Sequence, residues 1–232
     1  MEEAEGGEVS ARDEILSSIR RSLRVTGAEG PRRAAVESRL SGNPRGVVPA
    51  RGQLDAKERI GLFKKMAESA FASVAIVRSA REVPTEAARW LRDNNLPATL
   101  RKGKDKRLAD MPWGETALEM AEGASDGRDL NAVSHAFAAV AESGTLIMTS
   151  GPENPSTLNF LPDNHIVVLS AAELEGDYES VFDRLRQKYG KGEMPRTVNM
   201  ITGPSRSADI AQTMLLGAHG PRKLHIVIVD EA

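Results

Sequence analysis

Two apolar runs separated by a turn-rich loop limit this chain more than any other feature. Gly144-Thr145-Leu146-Ile147-Met148-Thr149 and His165-Ile166-Val167-Val168-Leu169 are apolar at nearly every position rather than at alternate ones. A strand of that pattern needs cover on both faces, so it belongs inside a layered sheet. Between the runs, Gly151-Pro152, Asn154-Pro155 and Leu161-Pro162 interrupt any regular element. At the entry of the first run stands the tetrad Glu142-Ser143-Gly144-Thr145. A carboxylate, a hydroxyl and a glycine at the mouth of a buried strand make a place where a ligand can meet the sheet.

Around these runs, helix and strand patterns alternate. Asp55 and Glu58 cap a helix whose Ile60, Phe63, Ala67 and Ala70 share a face, and Ser73 to Val77 is a short buried strand. Pro84 opens a helix through about Asn94, and Ala98 to Leu100 follows as a strand. Met111 to Arg128 has no clear period, with Trp113 a core or loop-anchoring residue. Asp177 caps a helix carrying Tyr178, Val181, Phe182, Leu185 and Tyr189. Thr197 to Thr202 reads as a strand and Ala208, Ala211, Leu215 and Ala218 as one face of a helix, before a last strand from Leu224 to Val229. This order predicts an α/β fold, a mostly parallel sheet with helices on both faces, over residues 54–232.

Residues 1–53 read as an N-terminal helical arm. Ser10 and Asp13 cap a helix from Ala11 to Arg24 with Ile15, Ile19 and Leu23 along one edge. That edge calls for a partner, either the main domain or another protein. From Val25 to Gln53 the mixture of Gly, Pro, Ala and scattered Arg predicts a linker or wrapping arm.

Composition removes several functions. The chain of 232 residues has no cysteine, which excludes disulfides, thiol catalysis and cysteine-ligated zinc or iron–sulfur clusters within it. If the protein takes part in electron transfer, the electrons run through another chain. A formal charge of -2 gives no reason to expect nucleic acid. No run approaches the length needed to span a bilayer, and the acidic start at Glu2, Glu3, Glu5 and Glu8 lacks an apolar signal core, so a cytoplasmic location is expected. The four histidines are dispersed without metal-ligand spacing, and no metal is expected.

Three places are suited to chemistry. Glu142 can act as a nucleophile toward an acyl group or as a general base, with Ser143, Gly144 and Thr145 lining the ligand; alternatively Glu142 caps the preceding turn and Gly144 permits a bend. Gly203-Pro204-Ser205-Arg206 lies between a strand and the expected helix, where free N–H groups, the helix dipole and Arg206 suit a carboxylate or phosphate. The alternative there is an ordinary N-cap. His219, flanked by Gly217-Ala218 and Gly220-Pro221, suits orienting a ligand or relaying a proton, or else bonds a loop carbonyl. His165 and His225 read as structural, and the basic run Arg101 to Arg107 as a solvated loop or an attraction for a phosphorylated ligand.

The segments AESGTLIMTSGPENPSTLNFLPDNHIVVL and ITGPSRSADIAQTMLLGAHGPRKLHIVIV, in this order, resemble the LUD-domain family. The resemblance covers roughly Ile60 to Val229. It implies a NagB/RpiA/CoA-transferase-like fold and a cytoplasmic bacterial protein from an operon that oxidises L-lactate to pyruvate. It also implies partner subunits carrying the iron–sulfur clusters, with no cofactor in this chain. The expected role is assembly or ligand binding in that complex; the alternative is an acyl- or CoA-transferase-like enzyme using Glu142.

Overall fold

The computed structural model describes residues 10–208 and 214–231. The chain divides into two units, residues 1–46 and 47–232. The compact unit therefore begins before the expected Leu54. The reason is local: the 3-10 turn Ala50–Gly52 packs its buried Gly52 directly on Gly176 of the α/β unit.

The first unit holds α1 (Ala11–Leu23) and α2 (Gly30–Gly42). Ser10 Oγ accepts from the Asp13 amide at 3.2 Å, and Arg24 closes α1 in the left-handed conformation. The second helix corrects the expected linker. Its apolar face is only Val36 and Leu40, too sparse to give a period, but Pro31 in the first turn and the run Arg-Arg-Ala-Ala favour helix by propensity. Glu29 fastens the connection by accepting from the Thr26 and Gly27 amides at 2.6 and 3.1 Å.

In the second unit the elements run α3 (Ala56–Ser69), β1 (Ser73–Val77), α4 (Val83–Asp93), β2 (Thr99–Lys102), α5 (Lys106–Ala109), β3 (Glu119–Glu122), β4 (Asn131–His135), β5 (Ala138–Val140), β6 (Thr145–Thr149), β7 (Asn164–Ser170), β8 (Leu174–Glu175), α6 (Tyr178–Tyr189), β9 (Val198–Ile201), β10 (Arg206–Ala208), β11 (Met214–Leu216) and β12 (Lys223–Val229). The main sheet has the order β1-β12-β7-β4-β2-β3, and every pairing in it is parallel. A smaller sheet has the order β8-β5-β6-β9. The two apolar runs thus enter different sheets: β7 is central in the large one and β6 lies in the small, mostly antiparallel one.

Burial explains why β7 and β12 are apolar at successive positions. Val167, Leu169, Ile226 and Ile228 pack with Ile60, Phe63 and Ala67 of α3 and with Leu146 and Met148 of the small sheet. Their neighbours Ile166, Val168, Val227 and Val229 point the other way, onto Val83, Ala87, Trp90 and Leu91 of α4 and Leu108 of α5. Each fully buried aliphatic side chain contributes about 1.5–3 kcal/mol. The outer face of the small sheet, Ala138, Val140 and Ile147, is covered by Val181 and Leu185 of α6. Trp113 is buried and donates from Nε1 to the Leu108 carbonyl at 2.6 Å, so it anchors the stretch before β3. Among the described residues no helix is long and apolar enough to cross a membrane.

The chain changes sheets between two adjacent residues. Ala136 N–H donates to Val168 of the main sheet at 2.8 Å, and Phe137 N–H donates to Ile147 of the small sheet at 2.9 Å. His135, the last residue of β4, stands at that seam.

Three histidines are buried. His165 shares a hydrogen bond with Ser134 Oγ at 3.0 Å. His225 lies between Ser73 Oγ and Glu86 Oε1, at 2.8 and 3.1 Å, and stacks on Trp90. Burial pushes His165 down to about 3 and His135 and His225 down to about 4, from 6.5. Below pH 6.5 the unfolded chain binds protons at these positions that the folded chain refuses, so stability must fall as pH drops toward 4. Each histidine contributes at most about 1.4 kcal/mol per pH unit in that window. Glu173, raised by burial, opposes part of the loss. Urea titrations at pH 7.5 and 5 are expected to show the lower stability at pH 5, with a smaller difference in His165→Gln.

Candidate functional site

The tetrad forms the loop of the β5–β6 hairpin, in which Val140 pairs with Thr145 and Gly144 N–H donates back to Val140 at 3.0 Å. Gly144 has φ +69, and a Cβ there would lie 2.5 Å from the Ala67 amide nitrogen in α3. Its role is therefore a bend against a helix backbone. Next to it, Ser143 and Thr145 join a chain of hydroxyls. Ser143 Oγ and Thr145 Oγ1 are 2.7 Å apart, both bond Tyr178 OH (3.0 and 2.8 Å), and Thr145 Oγ1 reaches Thr202 Oγ1 at 2.7 Å.

Glu142 is buried beneath the Gly52–Gly176 contact, and its N–H donates to the Gly176 carbonyl at 3.2 Å. The side chain is 5% exposed. Its Oε2 has no hydrogen bond and lies 3.8 Å from Nε of Arg51, which is largely exposed. A buried carboxylate oxygen left without a donor is costly in a purely structural position.

The expected anion site loses its basis. No helix begins at Ser205: β10 starts at Arg206 and pairs antiparallel with β11, Arg206 opposite Leu216. Residues 209–213 of the expected helix lie outside the described residues. The alanine spacing offered too little apolar face to enforce a helix, whereas backbone bonds fix an extended path. Ser205 N–H donates to Pro221 at 2.8 Å and its carbonyl accepts from Gly217 at 3.1 Å. Gly203 is buried with its Cα against the Ala70 carbonyl, leaving no space for a Cβ or an approaching ligand on that side. The Arg206 guanidinium lies 3.6 Å over the Phe71 ring. The strand before the turn, β9, belongs to the small sheet, so the turn does not emerge from the parallel one.

The structure does fold the His219 loop back to this turn. His219 N–H donates to Ser205 Oγ at 3.2 Å, and Gly220 packs beside Ser205. Thr202, between Thr145 and Gly203, links the two groups of expected site residues.

A cleft lies away from all three places that the sequence marked as suited to chemistry. Its cavity of about 380 Å³ sits beyond the carboxyl ends of β2 and β4. These strands are neighbours, yet the next strand of the main sheet is β3 on one side after β2 and, by way of the small sheet, β7 on the opposite side after β4. Open α/β sheets place ligands at such divergence points. Asp105, Arg107 and His135 form its inner end, Thr149 to Asn154 one wall, and Phe137, Lys188 and Tyr189 the other.

Ion pairs fix the inner end. Arg107 grips Asp105 with Nε and Nη2 at 3.1 and 2.8 Å and reaches Glu173 Oε1 with Nη1 at 2.9 Å. Asp105 pays a burial penalty, but Arg107 outweighs it and holds the carboxyl below its ordinary value. Glu173 is pushed up by burial; its Oε2 has no hydrogen bond and lies 3.8 Å from His135 Nδ1. His135 Nδ1 is 2.9 Å from the Ala136 carbonyl. In the basic run, Lys104 and Lys106 are exposed, but Arg101, Lys102 and Arg107 are held by carboxylates. Arg101 pairs with Asp129 and Lys102 with Glu122, at 2.8 and 2.9 Å.

An α/β protein with a parallel sheet, an attached small sheet and a cleft at their junction is the class this geometry defines. Residues 131–229 match the family model described as LUD domain, which bears out the family resemblance read from the two segments. Among curated proteins the chain is similar to lactate utilization protein C of Geobacillus sp. (strain WCH70), 30% identical over 128 residues, 55% of this chain and 51% of that protein. Lactate utilization protein C of Halalkalibacterium halodurans is 33% identical over 123 residues, 53% of this chain and 51% of that protein. The matched segments span about half the length of these relatives. A solved structure, a DUF162 family protein from Deinococcus radiodurans, shares the fold with TM-score 0.58 and 19% identity, covering 76% of this chain and 99% of that one.

Gly144→Ala is expected to lower stability by more than Gly127→Ala. Both have positive φ, +69 and +92, but only Gly144 faces a helix backbone. Strain alone costs about 1–2 kcal/mol, and the overlap with α3 adds to it. Equal denaturation midpoints for the two variants would show that the contact with α3 is not rigid.

Proposed function

We propose that this chain is a cytoplasmic, cluster-less subunit of a bacterial L-lactate-oxidising complex, contributing ligand binding or assembly while partner subunits carry iron–sulfur clusters. The observation that carries this reading is the similarity to proteins named lactate utilization protein C. The donor set agrees: with no cysteine, the chain offers no thiolate to a cluster. Its part in oxidation is then to hold a ligand or a neighbour, and the electrons pass elsewhere. Deleting the gene is expected to abolish growth on L-lactate and spare growth on pyruvate. The purified chain is expected to show no iron–sulfur absorbance and no lactate-dependent dye reduction. Dye reduction by the isolated chain would sink the subunit role.

A second reading rests on the unbonded Oε2 of buried Glu142. As an acyl- or CoA-transferase-like enzyme, the protein would use this carboxylate to attack the carbonyl carbon of an acyl thioester. A mixed anhydride forms, and the departing thiolate takes up a proton. Under this reading Glu142→Gln abolishes growth on lactate while leaving the melting temperature unchanged or higher, because a poorly compensated buried charge has been removed. Unchanged growth removes Glu142 from the functional residues.

A further inference from the structure

We propose that the cleft at the junction of the two sheets binds a 2-hydroxy acid, its hydroxyl donating to Nε2 of His135 and its carboxylate facing Nζ of Lys188. The ligand class rests on the lactate reading; the placement rests on which groups of the cleft are already occupied. The Ala136 carbonyl can only accept, so the 2.9 Å contact puts the proton of a neutral His135 on Nδ1. Nε2 then carries a lone pair, and no side chain or backbone group among the described residues bonds it. Burial keeps the ring uncharged at neutral pH. Glu173, held by Arg107, stands behind Nδ1 and steadies this tautomer.

Cation supply narrows the carboxylate position. Arg107 is committed to Asp105 and Glu173. Lys188 has no acidic partner among the described residues; its Nζ lies over the rings of Phe137 and Tyr189, 5.5 and 6.0 Å from their centroids. A second acceptor is also unclaimed. Asn154 is buried, donates from Nδ2 to Thr149 at 3.2 Å, and leaves its Oδ1 without a partner. Two unpaired acceptors and a cation without an acidic partner, all lining one cleft, match an acid that also carries a hydroxyl. A ligand lacking the hydroxyl leaves those acceptors unpaired and is rejected.

The volume and the aromatic wall extend the class. About 380 Å³ is of the size that holds a drug-like molecule, larger than a three-carbon acid requires. Phe137 and Tyr189 offer apolar surface to a longer side chain. A 2-hydroxy acid with an aryl group should therefore bind more tightly than lactate itself.

Calorimetric titration of the full-length protein with L-lactate, L-3-phenyllactate, propionate and 3-phenylpropionate tests this. Both hydroxy acids are expected to bind, phenyllactate the tighter, and each deoxy analogue to bind about tenfold more weakly or worse. Lys188→Met, at an exposed position, is expected to weaken the hydroxy acids by a similar factor, and the ¹⁵N resonance of His135 Nε2 to move on ligand addition. Absence of binding by both hydroxy acids overturns the proposal, as does equal binding by the deoxy analogues. Full affinity in Lys188→Met with an unmoved His135 resonance also overturns it. Cleft binding in a protein whose gene deletion leaves growth on L-lactate intact supports the site and removes the lactate role; loss of growth without cleft binding does the reverse.

Discussion

The last turn of α3 is the contact on which the second unit depends. On its inward face Phe63 and Ala67 are buried against the parallel sheet. At the same turn the small sheet arrives twice, once as Gly144 of the β5–β6 hairpin and once as Gly203 after β9. Both glycines have positive φ and both press on helix backbone, at Ala67 and at Ala70. The helix end and the small sheet thereby meet backbone to backbone at Gly144 and Gly203, while the side chains of Phe63 and Ala67 join the helix to the large sheet. Rigid backbone-to-backbone contacts of this kind tolerate little displacement.

With that contact fixed, the cleft follows from how the chain crosses between sheets. Adjacent peptides at Ala136 and Phe137 are bonded to different sheets, so the side chains on either side of the crossing face the gap between them. His135 comes from the carboxyl end of a parallel strand and Phe137 from the start of the small sheet. The inner end is then built from distant chain: Arg107 after β2 and Glu173 after β7. A site on such a seam draws His135 from the large sheet and Phe137 from the start of the small one, with the loop after β6 and the end of α6 completing its lining.

Much of the fold was legible because burial on both faces writes itself into composition. The strands β7 and β12 were readable from unbroken aliphatic runs, and α3 and α6 from capping aspartates followed by periodic faces. Short or mixed elements were not. Three-residue β5 is Ala-Ala-Val, and β4 carries Asn, Ser and His, whose burial depends on partners such as Asn164 and His165 far along the chain. The cleft failed to show for the same reason. Arg107 looks solvated beside its basic neighbours, and only its reach to Glu173 gives it a role. Asn154 sits in a turn-rich loop where asparagine is ordinary. Glycine spacing pointed instead to Gly203, where the real constraint was the close approach of α3, and the described ends of the expected helix, 206–208 and 214–216, pair as strands. Ser143 and Thr145 stand next to Glu142 in the chain, but the Tyr178 and Thr202 hydroxyls that bond them come from distant segments and carried no sequence signal.

The mutual contact of Gly52 and Gly176 has a genetic consequence. A methyl group on either glycine runs into the carbonyl of the other, and Glu142 lies against the same junction. Once one position has forced the two backbones apart, a methyl on the second meets a gap already opened, so the double alanine variant should cost less than the sum of the singles. The pair therefore behaves as one locus. Divergence at either position becomes tolerable chiefly in backgrounds where the other has already changed.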